Sequence, residues 1–114
     1  MYSLTRGQKF EDYEQKLRRI SPYCGNTPLT DPYLSPAYAN FCGLPDILIV
    51  GGGYETSASD CEMLCARAAE AGTGARYIKC EGMWHDFLYM FPKLKESREA
   101  WSEIKKFICG HIKI

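Results

Sequence analysis

The chain has no excess of charge of either sign, since 14 Lys and Arg balance 14 Asp and Glu. A balanced surface gives no net field to draw in nucleic acid or an anionic membrane, so no nucleic-acid partner is expected. No apolar run comes near the eighteen or so residues that cross a bilayer. Met1-Tyr2-Ser3-Leu4 does not begin a signal peptide. A cytoplasmic address with no membrane span is therefore the default expectation. Internal repeats and low-complexity segments are lacking as well.

Cysteine is not scarce, but useful cysteine spacing is. Six cysteines stand at 24, 42, 61, 65, 80 and 109, and none forms a CxxC pair. A disulfide framework would need an oxidising compartment to which nothing in the chain directs it. A metal site would have to combine Cys61 and Cys65, one helical turn apart, with Cys109 and His111 near the end. Two ligands on one helix without a second pair are weak ground for zinc, and cysteine is commonly a small buried hydrophobe. No metal and no cofactor are expected.

What is present begins with a hydrophobic content of 46%, which suits a globular chain rather than a disordered one. At 114 residues the length suffices for one small domain with a modest core. The organising stretch runs from Ile47 to His85. Asp46 to Val50 is almost wholly apolar, as in a parallel strand covered on both faces, and glycines 51–53 allow a tight turn after it. Ser59 with Glu62 has the form of a capping box. It starts a helix near Asp60 that runs to about Ala71, buries Met63, Leu64 and Ala68 and stops at Gly72. Arg76 to Cys80 alternates as a second strand, Tyr77 and Lys79 against Ile78 and Cys80.

This is one strand, helix, strand unit. A right-handed crossover makes its strands parallel, so the loops after the two strands emerge at one carboxyl edge. Glu55 stands just past the first strand and His85 just past the second. A carboxylate and an imidazole on adjacent loops are two thirds of a nucleophilic triad. The bland alternative for His85 is a satisfied structural side chain. Trp84 and Phe87 beside it would exclude water or touch an acyl group, or they simply pack.

Around this unit, Phe10, Tyr13, Leu17 and Ile20 step by helical spacing over Lys9 to Ile20. Residues 21–45 hold five of the six prolines and read as a rigid connector, with a short helical turn at Pro36 to Asn40. From Lys95 to Ile108 a helix is predicted, with Ala100, Trp101, Ile104, Phe107 and Ile108 as its apolar stripe and Gly110 as its end. The division expected is 1–45, helix and connector, and 46–114, the βαβα part.

Several short motifs in order resemble the C-terminal third of an α/β-hydrolase of the hormone-sensitive-lipase type. They are Asp31-Pro32 to Ser35-Pro36, Gly43-Leu44-Pro45, Gly52 to Glu55 with Asp60, and Gly82-Met83-Trp84-His85-Asp86-Phe87. The resemblance implies an α/β class and a partial hydrolase fold, with its last two parallel strands, flanking helices and part of the cap. His85 matches the catalytic histidine and Glu55 the catalytic acid. Tyr54 stands where many relatives carry an aspartate; if that aspartate is their acid, Glu55 is only its neighbour. By the same resemblance, residues 9–20 correspond to cap covering the acyl pocket, so Phe10, Tyr13 and Leu17 face substrate or else plain core.

The family places its serine on a GxSxG elbow before the acid, and its oxyanion loop earlier still. Neither motif occurs in these residues, and Ser57 and Ser59 come after the acid. The expectation is therefore a C-terminal piece of a serine carboxylic-ester hydrolase, inactive alone and needing no cofactor. Its substrate, once completed, would be a small carboxylic ester. Two further readings stay open, a stand-alone binding or dimerisation module and a Cys/His metal module. Two parallel strands leave an uncovered edge and face, so self-association or pairing with the missing segment is expected.

Overall fold

The computed structural model describes residues 18, 19, 22–55 and 57–112. The helix expected over Lys9 to Ile20 lies outside them except for 18 and 19, which are helical. The chain divides into two compact units, residues 1–40 and 41–114.

In the first unit, 3-10 turns form at Pro22–Cys24 and Pro36–Tyr38. Arg18 Nη1 donates to the Gly25 carbonyl at 2.7 Å. Asp31 Oδ1 accepts the Tyr33 amide at 2.9 Å, the local turn that aspartate favours before proline-fixed backbone.

The second unit holds β1 (Ile47–Gly52), α1 (Ala58–Glu70), β2 (Ala75–Cys80), the short α2 (Phe87–Met90) and α3 (Lys95–His111). The strands pair in parallel, Ile47 opposite Ala75 through Gly52 opposite Cys80. The α/β class expected from the sequence, with two parallel strands and flanking helices, is thus present. A helix covers each face. Lys79 reaches Glu62 of α1 at 3.1 Å, which puts the Tyr77 and Lys79 face under α1. Arg76 reaches Glu103 of α3 at 2.7 Å, which puts Arg76, Ile78 and Cys80 toward α3. Small residues allow the close approach. Ala68 and Ser97 are fully buried, Ala100 nearly so, and Phe87 is the one large side chain sealed to 2% exposure among the described residues. The Ser97 hydroxyl donates to the Phe87 carbonyl at 3.3 Å, and the buried Thr73 hydroxyl donates to the Phe41 carbonyl.

Helix ends show where local signals were overruled. Gly72 sits at φ 79, and the Thr73 and Gly72 amides bond the Ala68 and Ala69 carbonyls. That is the predicted glycine stop in Schellman form. The capping box does not form. The helix begins at Ala58, so Ser59 lies inside its first turn rather than at the N-cap; Ser57 takes that place, makes no side-chain cap bond and turns to Glu55, while Glu62 is drawn to Lys79. Gly110 does not end α3, which continues to His111. There His111 bridges the Phe107 carbonyl at 2.7 Å and Asp46 at 3.0 Å, which closes the last turn onto the start of β1.

The glycines at the end of β1 are needed for space rather than for a turn, since none of 51–53 has positive φ. A Cβ on Gly52 would stand 2.3 Å from the Met83 carbonyl oxygen, which is backbone and cannot swing away. We predict that Gly52→Ala lowers stability by about 1–3 kcal/mol, as overpacking does, and that Gly110→Ala in open helix raises it by about 0.5–1 kcal/mol. Urea denaturation of the two variants checks both signs.

His111 titrates above the ordinary imidazole value, first through the Phe107 carbonyl and then through Asp46. A raised folded value stabilises fully below the unfolded value and is lost as pH rises through the folded one. Asp46→Asn is therefore expected to lower Tm below pH 6, with the difference vanishing in alkaline buffer. An equal loss at pH 9 would contradict the ion pair as its cause.

Candidate active site

Parallel pairing brings the ends of β1 and β2 to one edge, and backbone bonds stitch the two loops beyond them together. The Gly53 amide donates to the Cys80 carbonyl at 2.9 Å and the Tyr54 amide to the Met83 carbonyl at 2.9 Å. This holds Glu55 level with the loop that carries His85. His85 Nδ1 lies 2.6 Å from Glu55 Oε1. The second carboxylate oxygen, Oε2, accepts the Gly52 amide at 2.5 Å, and the Ser57 hydroxyl stands 3.5 Å from Oε1. A Cβ at Gly51 would come within 2.9 Å of Oε2, so that glycine leaves the carboxylate its place. Of the two candidate acid positions, Glu55 meets the imidazole, while Tyr54 is 68% exposed.

The pair is asymmetric. The Glu55 side chain is 11% exposed and that of His85 76%. Burial works to raise the Glu55 pKa, but the bonds from His85 and the Gly52 amide outweigh it and the net shift is downward. Glu55 is thus an anion nearly out of water, and Nδ1 is the donor to it. His85 is raised, first by its bond to Glu55 and then by the charge of Asp86. Asp86 Oδ2 stands 3.2 Å from Nε2, so both ring nitrogens face carboxylates. Such a ring can hold or pass a proton at Nε2 while Nδ1 stays fixed, the arrangement general base catalysis needs.

Sequence reasoning missed the roles of the Gly52 amide, Ser57 and Asp86. Only Asp86 had a signal, its place directly after His85. Phe87, weighed as an acyl contact or as packing, is core. Trp84 is 44% exposed and meets Phe91 edge-on at 5.3 Å. Burial and the nearby Glu55, Asp60 and Glu62 push the Cys61 thiol up, against its acting as a thiolate. Among the described residues no three His, Cys, Asp or Glu side chains gather to hold a metal ion, and His111 is engaged with Asp46. A cavity of about 430 Å³ runs beside β1, lined by Leu48, Val50, Leu88, Ile104 and Phe107 and reaching Glu55 and Asp86. No helix of the described residues is long and apolar enough to cross a membrane.

Known proteins share this arrangement of elements. A family model described as alpha/beta hydrolase fold matches residues 8–89. An acetyl-hydrolase of Streptomyces hygroscopicus is 34% identical over 74% of this chain and 28% of its own length. A solved hormone-sensitive lipase from a metagenome library has 30% identity and a TM-score of 0.72, over 78% of this chain and 31% of that one. The homologue EstE7, also from a metagenome library, has 33% identity and a TM-score of 0.73, over 80% and 31%. The chain spans less than a third of the length of each of these proteins. With most of its residues matched, including the stretch that holds Glu55 and His85, the chain belongs to the α/β-hydrolase fold family, among its esterase- and lipase-like members of hormone-sensitive-lipase type.

Proposed function

We propose that this chain supplies the acid, Glu55, and the base, His85, of a serine carboxylic-ester hydrolase, and that the nucleophile and oxyanion donors come from a segment outside these 114 residues. The observation that carries the reading is the 2.6 Å contact between Glu55 Oε1 and His85 Nδ1 at the carboxyl edge of adjacent parallel strands. Glu55 fixes the tautomer and stabilises the imidazolium. Nε2 takes the serine proton as its oxygen attacks the ester carbonyl, then returns it to the departing alcohol; water releases the acyl group by the same proton path. Small carboxylic esters are the substrate class, in keeping with relatives named esterase and acetyl-hydrolase. Residues 1–45 are assigned to the cap-derived helix and connector, 46–114 to the hydrolase domain proper, and the address is cytoplasmic.

The outer edge of β1 supports pairing with the completing segment. The Ile47 and Gly53 amides both point to β2, so strand alternation turns Leu48 and Val50 outward with their ladder groups open. The apolar cavity lies beside that same edge. The partner that fits is a parallel strand presenting apolar side chains to the cavity. Light scattering that shows only a monomer over a broad concentration range would remove self-association as the alternative use of this edge.

Alone, the chain is expected to give negligible turnover of a short-chain nitrophenyl ester, with His85→Ala as control for simple imidazole hydrolysis. A fast rate abolished by that substitution would overturn the need for a completing segment. Fused to the GxSxG-bearing part of a relative, the chain is expected to turn the ester over. There Glu55→Gln lowers kcat about ten-thousand-fold, the loss seen when the acid of a serine-protease triad becomes its amide. An unchanged kcat would place the acid elsewhere.

A further inference from the structure

Asp86 is placed where a different use of its carboxylate would be ordinary. It is the N-cap of α2, and aspartate at that position usually turns its side chain onto the first helical amides. Here it makes no such bond. Its carboxylate turns back to His85 Nε2 at 3.2 Å, while its backbone sits at φ 55, ψ 24, a left-handed conformation that aspartate tolerates better than most residues. The backbone is held there from the far side. The Asp86 carbonyl accepts the Tyr89 and Met90 amides at 3.0 Å each, and the next residue, Phe87, is sealed in the core. The main chain is held by these bonds, while the side chain is 56% exposed and meets only the ring among the described residues.

Resting on the reading of His85 as the base, we propose that Asp86 is a positioning residue whose carboxylate pairs with Nε2 across 3.2 Å and favours the protonated ring until a donor from the completing segment takes its place. The two carboxylates differ in kind. Glu55 is nearly buried, hydrogen-bonded to Nδ1 and held by the Gly52 amide; Asp86 is exposed and meets the ring only as an ion pair at Nε2. Among the described residues the charged groups that meet the ring are these two, one from the loop after β1 and one from the ring's own loop. When the Asp86 carboxylate swings away, the Nε2 proton passes to solvent and the neutral nitrogen becomes available to accept a hydroxyl proton. The pairing thus keeps an exposed imidazole from reacting in the unassembled chain.

The test uses the whole chain and no ester turnover. Asp86→Asn keeps the side-chain shape and left-handed tolerance, and Asp86→Gly removes the side chain while suiting the same backbone. At pH 7 both are expected to raise the rate at which diethylpyrocarbonate acylates His85 severalfold, because losing the Asp86 charge enlarges the neutral fraction of the ring. Peptide mass spectrometry reads the rate, with His111 as internal reference. The His85 midpoint tracked by NMR is expected to fall in both variants. A His85 rate and midpoint unchanged in both would overturn this role of Asp86, whereas a fusion without turnover would overturn the triad reading and leave this result standing.

Discussion

A carboxylate can be ionised and nearly out of water only if several donors converge on it, and the carboxyl end of β1 is built to let them. Glu55 reaches the imidazole with one oxygen and the Gly52 amide with the other. Space is as necessary as charge. Gly51 leaves room for the carboxylate and Gly52 for the backbone of the loop before His85. Any side chain at Gly52 would push apart the two loops whose stitching brings acid and base together, so the electrostatics of the pair depend on an absence of atoms.

The rest of the second unit serves to keep that edge in place. Two strands alone are marginal in water, and here a helix covers each face. The helices approach closely because the contact residues are small, with Ala68 on one side and Ser97 and Ala100 on the other. Phe87 links core and site, its ring sealed beneath a loop whose preceding residues carry the imidazole and its second carboxylate. Helix packing and site geometry are therefore one problem in this chain, and a cavity opened under Phe87 would be felt at His85.

Much of this was legible in the sequence, and the failures share a cause. The apolar run at Ile47, the glycine stop at Gly72 and the helix from Lys95 arise from local patterns that tertiary contacts did not oppose. The capping box at Ser59 and Glu62 failed because the helix begins at Ala58, which puts Ser59 inside its first turn, and Glu62 pairs with Lys79. Gly110 failed as a stop because His111, beyond it, is tied to Asp46, 65 residues away in sequence. The pairing of Glu55 with His85 could be anticipated because strand order alone brings both to one edge. Asp86 could not be placed, since whether its carboxylate turns to the helix or to the ring is decided in three dimensions.

Gly52 also carries a consequence for assembly. As an even-numbered residue of β1 it faces the open edge with Leu48 and Val50, yet both of its backbone groups are already engaged, its amide with the Glu55 carboxylate and its carbonyl with the Glu55 amide. A strand laid along this edge finds partners at Leu48 and Val50 and none at Gly52. The Glu55 carboxylate is thus a stop for the ladder as well as the partner of the imidazole. A chain laid along this edge would therefore leave the ladder at Gly52, at the strand end beyond which Glu55 meets the imidazole.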